Sequence, residues 1–223
     1  MLRGLLLSAI ILFPASAQRT VWDGVYTDAQ ASRGEAVFAR SCERCHSLVP
    51  SGRTPLAGDT FWKSFTQKSA GDVLDYVTAN MPNGAPRSLR TQDYEDIVAS
   101  LLKANGFPSG AAEFRTGVQA QIVPKDGNAE LPAGALARVV GCLVKSGTGW
   151  SVAQATPPER AEKAAADTAT RALGSRTMDL KFVLSKLDSM VGARVTATGI
   201  LIGPNGSDGI NVTDVSRVAA SCP

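Results

Sequence analysis

The sequence has a single histidine, His46, among its 223 residues, which excludes any site built on two or more histidines. Aromatic residues make up only 6% of the chain, the formal net charge is +3, and lysine and arginine form neither a cluster nor a stripe. The shortage of stacking side chains and basic clusters argues against a nucleic-acid-binding protein. After residue 17, no stretch approaches the roughly 20 apolar residues of a membrane-spanning helix. We therefore expect no transmembrane segment in the mature chain.

Two of the four cysteines belong to a Cys-x-x-Cys-His motif at residues 42–46. This is the pattern of covalent c-type haem attachment, in which each thiol forms a thioether and the adjacent imidazole binds the iron. Because there is no second histidine, the second axial ligand must be another residue type, and Met81 is the leading candidate. The Pro and Gly residues that follow Met81 break a helix, so Met81 stands at the head of a loop.

Other interpretations of these residues stay open at this point. A zinc site would need a fourth ligand, and the two remaining cysteines, Cys142 and Cys222, lie far along the chain. A thioredoxin-like dithiol would need a strand-to-helix turn, whereas the flanks of this motif have a helical pattern. Met81 could instead be a core methionine, with Lys63, Lys68 or water as the ligand of the iron.

The first 17 residues have the features of a secretory signal peptide. Arg3 precedes an apolar run at residues 5–13, and Ala15-Ser16-Ala17 is an Ala-x-Ala exit site, with cleavage expected after Ala17. We therefore expect a soluble, exported protein in the bacterial periplasm, where c-type cytochromes are assembled. An oxidising compartment also permits a disulfide between Cys142 and Cys222.

Helical patterns dominate the next part of the chain. Capping boxes at residues 27–30 and 69–72 predict two helix starts, and Asp59 or Thr60 is positioned to cap another helix. A last helix is predicted from about residue 91 to residue 105, with apolar side chains at helical spacing. These patterns predict an all-helical first domain.

Residues 20–112 resemble the class I cytochrome c fold, in particular the small bacterial monohaem cytochrome c domains found alone or fused to dehydrogenases. The resemblance rests on residues 42–46 and on Gln30-Ala31-Ser32-Arg33-Gly34, Pro55-Leu56-Ala57-Gly58, Met81-Pro82, Tyr94 and Asn105-Gly106. It places Gly34, Phe38 and Tyr94 where the first and last helices cross closely, in a packing role.

The same resemblance implies a set of haem contacts. Cys42 and Cys45 would hold one covalent haem c, His46 would be the proximal ligand and Met81 the distal ligand. Pro55 would supply the carbonyl oxygen that accepts the imidazole N–H, an outer contact that fixes the ring and tunes its basicity.

The second half of the chain has the alternating pattern of β-strands. Strands are predicted at residues 136–145, 150–155, 178–184, 193–202 and 209–219, the last two joined as a hairpin through residues 203–208. Thr156-Pro157-Pro158-Glu159 combines a capping box with a proline at the first helical position and opens an alanine-rich stretch that ends near Gly174. Because this stretch has almost no large apolar face, we expect a surface helix or a partly disordered segment. Five strands and one helix predict a small OB-like β-barrel. The pattern resembles a family of small exported bacterial domains of unknown function.

Together these observations predict a multidomain α plus β protein. An all-α cytochrome c domain around one haem would occupy residues 18–112, after a signal peptide at residues 1–17. A linker at residues 113–135 would lead to a small OB-like β-barrel with one helix at residues 136–223. Cys142 on the first strand and Cys222 after the last strand become neighbours when such a barrel closes, so we expect them to form a disulfide.

The predicted function is electron transfer without enzymatic activity. Such a cytochrome would carry single electrons between redox partners, namely a dehydrogenase, a terminal oxidase or another cytochrome, through a His/Met-ligated haem. The alternatives are an electron-acceptor subunit of a larger dehydrogenase complex and a haem-based ligand sensor.

Overall fold

The computed structural model describes residues 19–126, 130–162, 168–184, 186–203 and 209–222. The predicted signal peptide and residues 204–208 of the predicted hairpin turn lie outside the described residues. The described chain has two hydrophobic cores, one built by helices and one built by strands. This α-plus-β organisation agrees with the prediction.

Four α-helices build the first half of the chain from residue 19 onward, where the structure describes it. They are α1 at Asp28–Ser41, α2 at Asp59–Phe65, α3 at Ala70–Asn80 and α4 at Thr91–Ala104. A short 3-10 helix at Val21–Asp23 precedes them. Among the described residues, no helix has both the length and the apolar content that crossing a membrane requires.

The predicted cap of α1 is present, because the Thr27 hydroxyl oxygen accepts a hydrogen bond from the Gln30 N–H at 3.2 Å. The Gln30 side chain takes a different role from the one that a capping box gives it. Its amide nitrogen donates to the Phe114 carbonyl at 2.9 Å, and its amide oxygen accepts from the Phe114 N–H at 2.7 Å. The Gln30 side chain therefore pairs with the backbone of Phe114, far along the chain, and not with the start of α1 as the capping-box pattern predicts.

The capping box of α3 is confirmed, with Ser69 and Asp72 exchanging both hydrogen bonds. The predicted cap of α2 is wrong, since the helix begins after Gly58 and Asp59 is its first residue. The Gly58 N–H donates instead to Asn105 Oδ1 at 3.0 Å, beyond the end of α4. This contact joins residues that are 47 positions apart, so local spacing could not predict it.

Helices α1 and α4 cross closely at Gly34, as predicted. A Cβ atom added to Gly34 would lie 1.8 Å from the carbonyl oxygen of Asp96 and 3.0 Å from the Cβ atom of Ser100. The backbone of α4 therefore leaves room only for glycine at this position. Phe38 and Tyr94 are buried in the core around the same crossing.

The chain that follows α4 packs back onto the helices. Phe114, Ala120 and Ile122 are fully buried in the helical core. The carbonyl of Gln121 accepts a hydrogen bond from the Val21 N–H at 3.0 Å. Part of the segment that the sequence predicted as a linker is therefore built into the first core.

Charged side chains of α4 hold this returning segment. Asp96 accepts two hydrogen bonds of 3.0 Å from Arg33 of α1, and the same arginine donates to Glu113 of the returning segment at 2.8 Å. Glu95 accepts from the N–H and the hydroxyl of Thr116, each at 2.8 Å, and from Arg115 at 3.0 Å. Burial alone would raise the pKa of Glu95, but the hydrogen bonds from Thr116 and Arg115 outweigh it and lower the pKa.

Six strands build the described part of the second half of the chain. They are β1 at Leu136–Ser146, β2 at Gly149–Ala155, β3 at Glu159–Arg160, β4 at Arg176–Lys181, β5 at Arg194–Ile202 and β6 at Gly209–Ala219. They form one sheet in the order β2-β4-β6-β5-β1-β3, and β1 additionally pairs with β2. The β4–β6 pairing is parallel, and the other described pairings are antiparallel. The positions of five of these strands agree with the prediction to within a few residues.

The helix predicted to begin at Thr156 is absent from the described residues 156–162. The Thr156 hydroxyl oxygen accepts a hydrogen bond from the Val140 N–H at 3.1 Å instead of capping a helix. Glu159–Arg160 then pairs with β1 as strand β3. Residues 163–167, where the predicted helix would continue, lie outside the described part of the chain.

Cys142 and Cys222 form a disulfide with their Cα atoms 5.6 Å apart, as predicted. The bond joins β1 to the chain just beyond β6 and closes a loop with a sequence separation of 80 residues. In the chain-entropy view, a loop of this length stabilises the fold by about 4 kcal/mol.

Candidate functional site

A cavity of about 410 Å³ opens in the helical domain, between the end of α1, helices α2 and α3, and the chain that follows α3. Its lining includes Cys42, Cys45, His46 and Met81, four of the five residues singled out from the sequence. Other lining side chains are mainly apolar, and they include Phe38, Leu56, Phe61, Phe65, Val77, Ile97 and Leu101. An apolar cavity with a few convergent polar groups is typical of a cofactor site.

The end of α1 brings the two thiols and the imidazole to this cavity. The N–H groups of Cys45 and His46 both donate to the Cys42 carbonyl at 3.0 Å, which closes a tight turn directly after the helix. Cys42 is half-buried and Cys45 is exposed, and both are free thiols. Burial raises the pKa of the Cys42 thiol.

The imidazole of His46 is positioned by a backbone carbonyl. Its Nδ1 atom lies 3.3 Å from the carbonyl oxygen of Thr54, to which the protonated nitrogen donates. The sequence analysis gave this role to the carbonyl of Pro55, one residue later, whereas in the structure the Thr54 carbonyl lies beside Nδ1. Thr54 has a positive φ of 39°, and Pro55 is held in a bridge to Ser47.

Met81 directly follows α3, at the head of a loop as predicted, and its N–H donates to the Val77 carbonyl at 2.9 Å. Its own carbonyl accepts a hydrogen bond from the Tyr94 hydroxyl at 2.9 Å. The same hydroxyl oxygen accepts from the Leu89 N–H at 3.4 Å. Tyr94 therefore holds both ends of the loop that carries Met81.

Sequence reasoning missed this role of Tyr94, because the resemblance assigned the residue to helix packing. The hydrogen-bonding requirement of the tyrosine hydroxyl could have indicated this role. A buried tyrosine needs a partner for its hydroxyl, and the unpaired backbone of a Pro- and Gly-containing loop supplies one.

The structure also bears on the alternatives. Cys142 and Cys222 are joined to each other, so they are not available as further ligands of a metal at the thiol pair. Met178 lies in the strand-built core and Met190 packs against it, so Met81 is the methionine at the cavity among residues 19–222 where they are described. Lys68 lines the cavity and Lys63 is not among the lining residues.

Aromatic rings form the deeper part of the site. Phe61 lies 5.2 Å from Phe65 and 5.8 Å from Phe107, measured between ring centroids. Trp62 packs on Phe107 at 5.6 Å and does not line the cavity. The thiols, the imidazole, the thioether and these apolar walls fit a haem, since they provide two attachment points, two axial donors and a dry surface.

Residues 29–99 match the family described as Cytochrome C oxidase, cbb3-type, subunit III. This segment is a c-type cytochrome domain. Such domains bind covalent haem c, typically one per domain, which agrees with the predicted cofactor. The matched segment of this cytochrome domain contains the Cys-x-x-Cys-His motif, Met81 and Tyr94. Neither the curated proteins nor the solved structures contained a match to the chain.

Proposed function

We propose that this protein is a periplasmic monohaem c-type cytochrome that carries single electrons between redox partners, with His46 and Met81 as axial ligands. The supporting observation is that two free thiols, the single imidazole and one thioether converge on one apolar cavity. The cytochrome domain itself already implies electron transfer through haem.

Each residue at the cavity has its own task in this proposal. Cys42 and Cys45 form thioethers to the haem, and His46 binds the iron through Nε2 while Nδ1 donates to the Thr54 carbonyl. The Met81 sulfur takes the other axial position. Haem c supplies reversible one-electron transfer at its iron, and a His/Met pair shifts that couple toward high potential.

The apolar walls contribute by excluding water. Phe61 is buried and Phe65 is partly buried against the same core, so their rings present hydrocarbon to the cavity. Low polarity disfavours the more highly charged ferric state, so these side chains also favour the reduced protein.

Export to the periplasm is supported by the apolar segment with its Ala-x-Ala site and by the disulfide. Structural disulfides persist in oxidising compartments and are rare in the cytosol. The bond between Cys142 and Cys222 is therefore the feature expected of an exported chain.

For the C-terminal part, we propose an OB-like arrangement of the sheet. The support is the order of pairings, because β1 pairs with β5 and also with β2, while β4 and β6 run parallel. OB folds host many unrelated functions, so this architecture assigns no chemistry by itself.

The partners follow from the cytochrome domain. Redox partners such as an oxidase or another cytochrome are implied by it. We propose a dehydrogenase as the electron donor and assign no catalytic reaction to the chain itself.

The decisive experiment is mass spectrometry and optical spectroscopy of the exported protein. We expect one haem on the peptide that contains residues 42–46, at most one thioether after Cys45→Ser, and a weak near-infrared sulfur-to-iron band that Met81→Ala abolishes. A wild-type protein without covalent haem would overturn the proposal. Rapid carbon monoxide binding by the wild type at neutral pH would favour the ligand sensor instead, because it requires an open axial position.

A further inference from the structure

Helix α2 forms one wall of the cavity, and Thr60, Phe61, Ser64, Phe65 and the nearby Lys68 all line it. The helix has only seven residues, too few for stability in isolation. Its N-cap residue, Gly58, makes no side-chain cap hydrogen bond. The position of this wall therefore depends on contacts from other parts of the chain.

One set of these contacts comes from Arg160 of the C-terminal domain. Its Nε atom donates to the Thr66 carbonyl at 2.6 Å, and its Nη2 atom donates to the Lys63 carbonyl at 2.7 Å. Carbonyl groups in the last turn of a helix lack partners within the helix, and a cation is favoured beside them by the helix dipole. The guanidinium group therefore caps the C-terminal end of α2.

Arg160 is only 4% exposed, so the cap is sealed between the two domains. Burial lowers the pKa of Arg160, yet an arginine in a protein stays protonated. The carbonyls of Lys63 and Thr66 compensate the buried charge, so the stability of the interface depends on the geometry of these two hydrogen bonds.

Gln67 adds a second contact between the domains. Its φ of 65° lies in the left-handed region, which is uncommon for a residue other than glycine. Its side-chain nitrogen donates to the Pro158 carbonyl at 3.1 Å, and its side-chain oxygen accepts from the Arg160 N–H at 3.2 Å. The amide of Gln67 thus pairs with the backbone around β3 much as a neighbouring strand would.

On the side of the C-terminal domain, strand β3 is fixed to strand β1 by backbone hydrogen bonds. Arg160 pairs with Ala137 of β1, and the next residue, Ala161, donates its N–H to the Leu136 carbonyl at 3.1 Å. Ala137 is fully buried in the strand-built core. A displacement of β1 relative to the helical domain would therefore be transmitted through β3 to the end of α2.

We infer that Arg160 is a positioning residue of the haem site. Through it, the C-terminal domain holds the α2 wall and thereby controls the reduction potential and ligand access of the cavity. This inference rests on the proposed function for the haem, and on the observed hydrogen bonds for the wall itself.

The test is amide hydrogen exchange of the full-length protein, read at the amides of α2 and α4, together with the reduction potential. Arg160→Met keeps the length of the side chain but removes both donors, so we expect exchange in α2 to accelerate by about tenfold or more. Exchange in α4 should stay unchanged. The potential should fall, because a loosened wall admits water that stabilises the ferric state.

Three further variants make the result specific. Arg160→Lys keeps the charge but loses the two-pronged geometry, and it should also accelerate exchange in α2. Gln67→Gly keeps the left-handed backbone at no cost and removes only the side-chain contacts, so it should act in the same direction. Arg176→Met removes a half-exposed arginine that pairs with Glu130, and it should leave α2 and the potential unchanged.

The inference would be overturned if α2 exchanged at the wild-type rate in both Arg160 variants. It would also be overturned if Arg176→Met accelerated exchange in α2 equally. If Arg160→Met unfolds, then Arg160→Lys and Gln67→Gly decide the matter. A wild-type protein that binds no haem would refute the proposed function separately, since the exchange measurement would still show whether Arg160 holds α2.

Discussion

The hydroxyl of Tyr94 offers a direct test of how the loop that carries Met81 is held. Tyr94→Phe keeps a ring that is 2% exposed and removes the oxygen that donates to the Met81 carbonyl at 2.9 Å and accepts from the Leu89 N–H at 3.4 Å. Leaving a buried backbone group without its partner costs about 1–3 kcal/mol. The equilibrium for opening this loop should therefore rise by about 5- to 150-fold.

Two measurements report this change. With Met81 as the proposed ligand of the iron, carbon monoxide would bind the ferrous protein only after Met81 leaves, so the observed binding rate should increase by the same factor. The melting temperature should fall by about 4–24 °C, given a shift of roughly 4–8 °C per kcal/mol for a domain of this size. The second measurement does not depend on which residue ligates the iron.

Tyr76→Phe is the matched control. Tyr76 also lines the cavity, but it is 51% exposed, so its hydroxyl can be satisfied by water. This variant should bind carbon monoxide and melt like the wild type. Unchanged behaviour of Tyr94→Phe, or an equal change in both variants, would show that the hydroxyl of Tyr94 does not restrain Met81.

Three other predictions concern stability. Gly34→Ala should lower the free energy of unfolding by about 1–3 kcal/mol or more in denaturant titrations, because the new Cβ meets the α4 backbone, whereas Ser32→Ala on the exposed face of α1 should not. Reduction of the Cys142–Cys222 disulfide should expose two thiols to labelling and destabilise the C-terminal domain by about 4 kcal/mol, and labelling of both thiols before reduction would contradict the disulfide. The lowered pKa of Glu95 contributes stability that is present above the pKa of the unfolded chain, about 4.5, and is lost as pH falls through the folded value. Acid titrations of Glu95→Gln should therefore show a weaker loss of stability below that pH than the wild type.

Local patterns were sufficient for the features that depend on a few neighbouring residues. The haem-attachment motif at residues 42–46, the capping box at Ser69 and the alternating strands all have short-range signals, and the structure contains each of them. The disulfide could also be predicted, because one cysteine lies on the first strand, the other follows the last strand, and these two strands were expected to be neighbours.

The wrong predictions share a physical cause. Gln30 and Thr156 both fit a local capping pattern, but each side chain bonds a backbone group that lies far away in the sequence, at Phe114 and Val140. The carbonyl beside His46 is that of Thr54, one residue from the expected acceptor, and Thr54 has a positive φ. Sequence spacing contains no information on such long-range partners or on a single φ angle.

The return of the chain after α4 has a consequence for the order of folding. The helices can form through contacts within short stretches, but the hydrogen bond between the Val21 N–H and the Gln121 carbonyl joins residues that are a hundred positions apart. Closing so long a loop costs entropy before the burial of Phe114, Ala120 and Ile122 repays it. We expect this closure to be a late event, so that the helices and residues 42–46 are formed before the returning segment docks beside Val21.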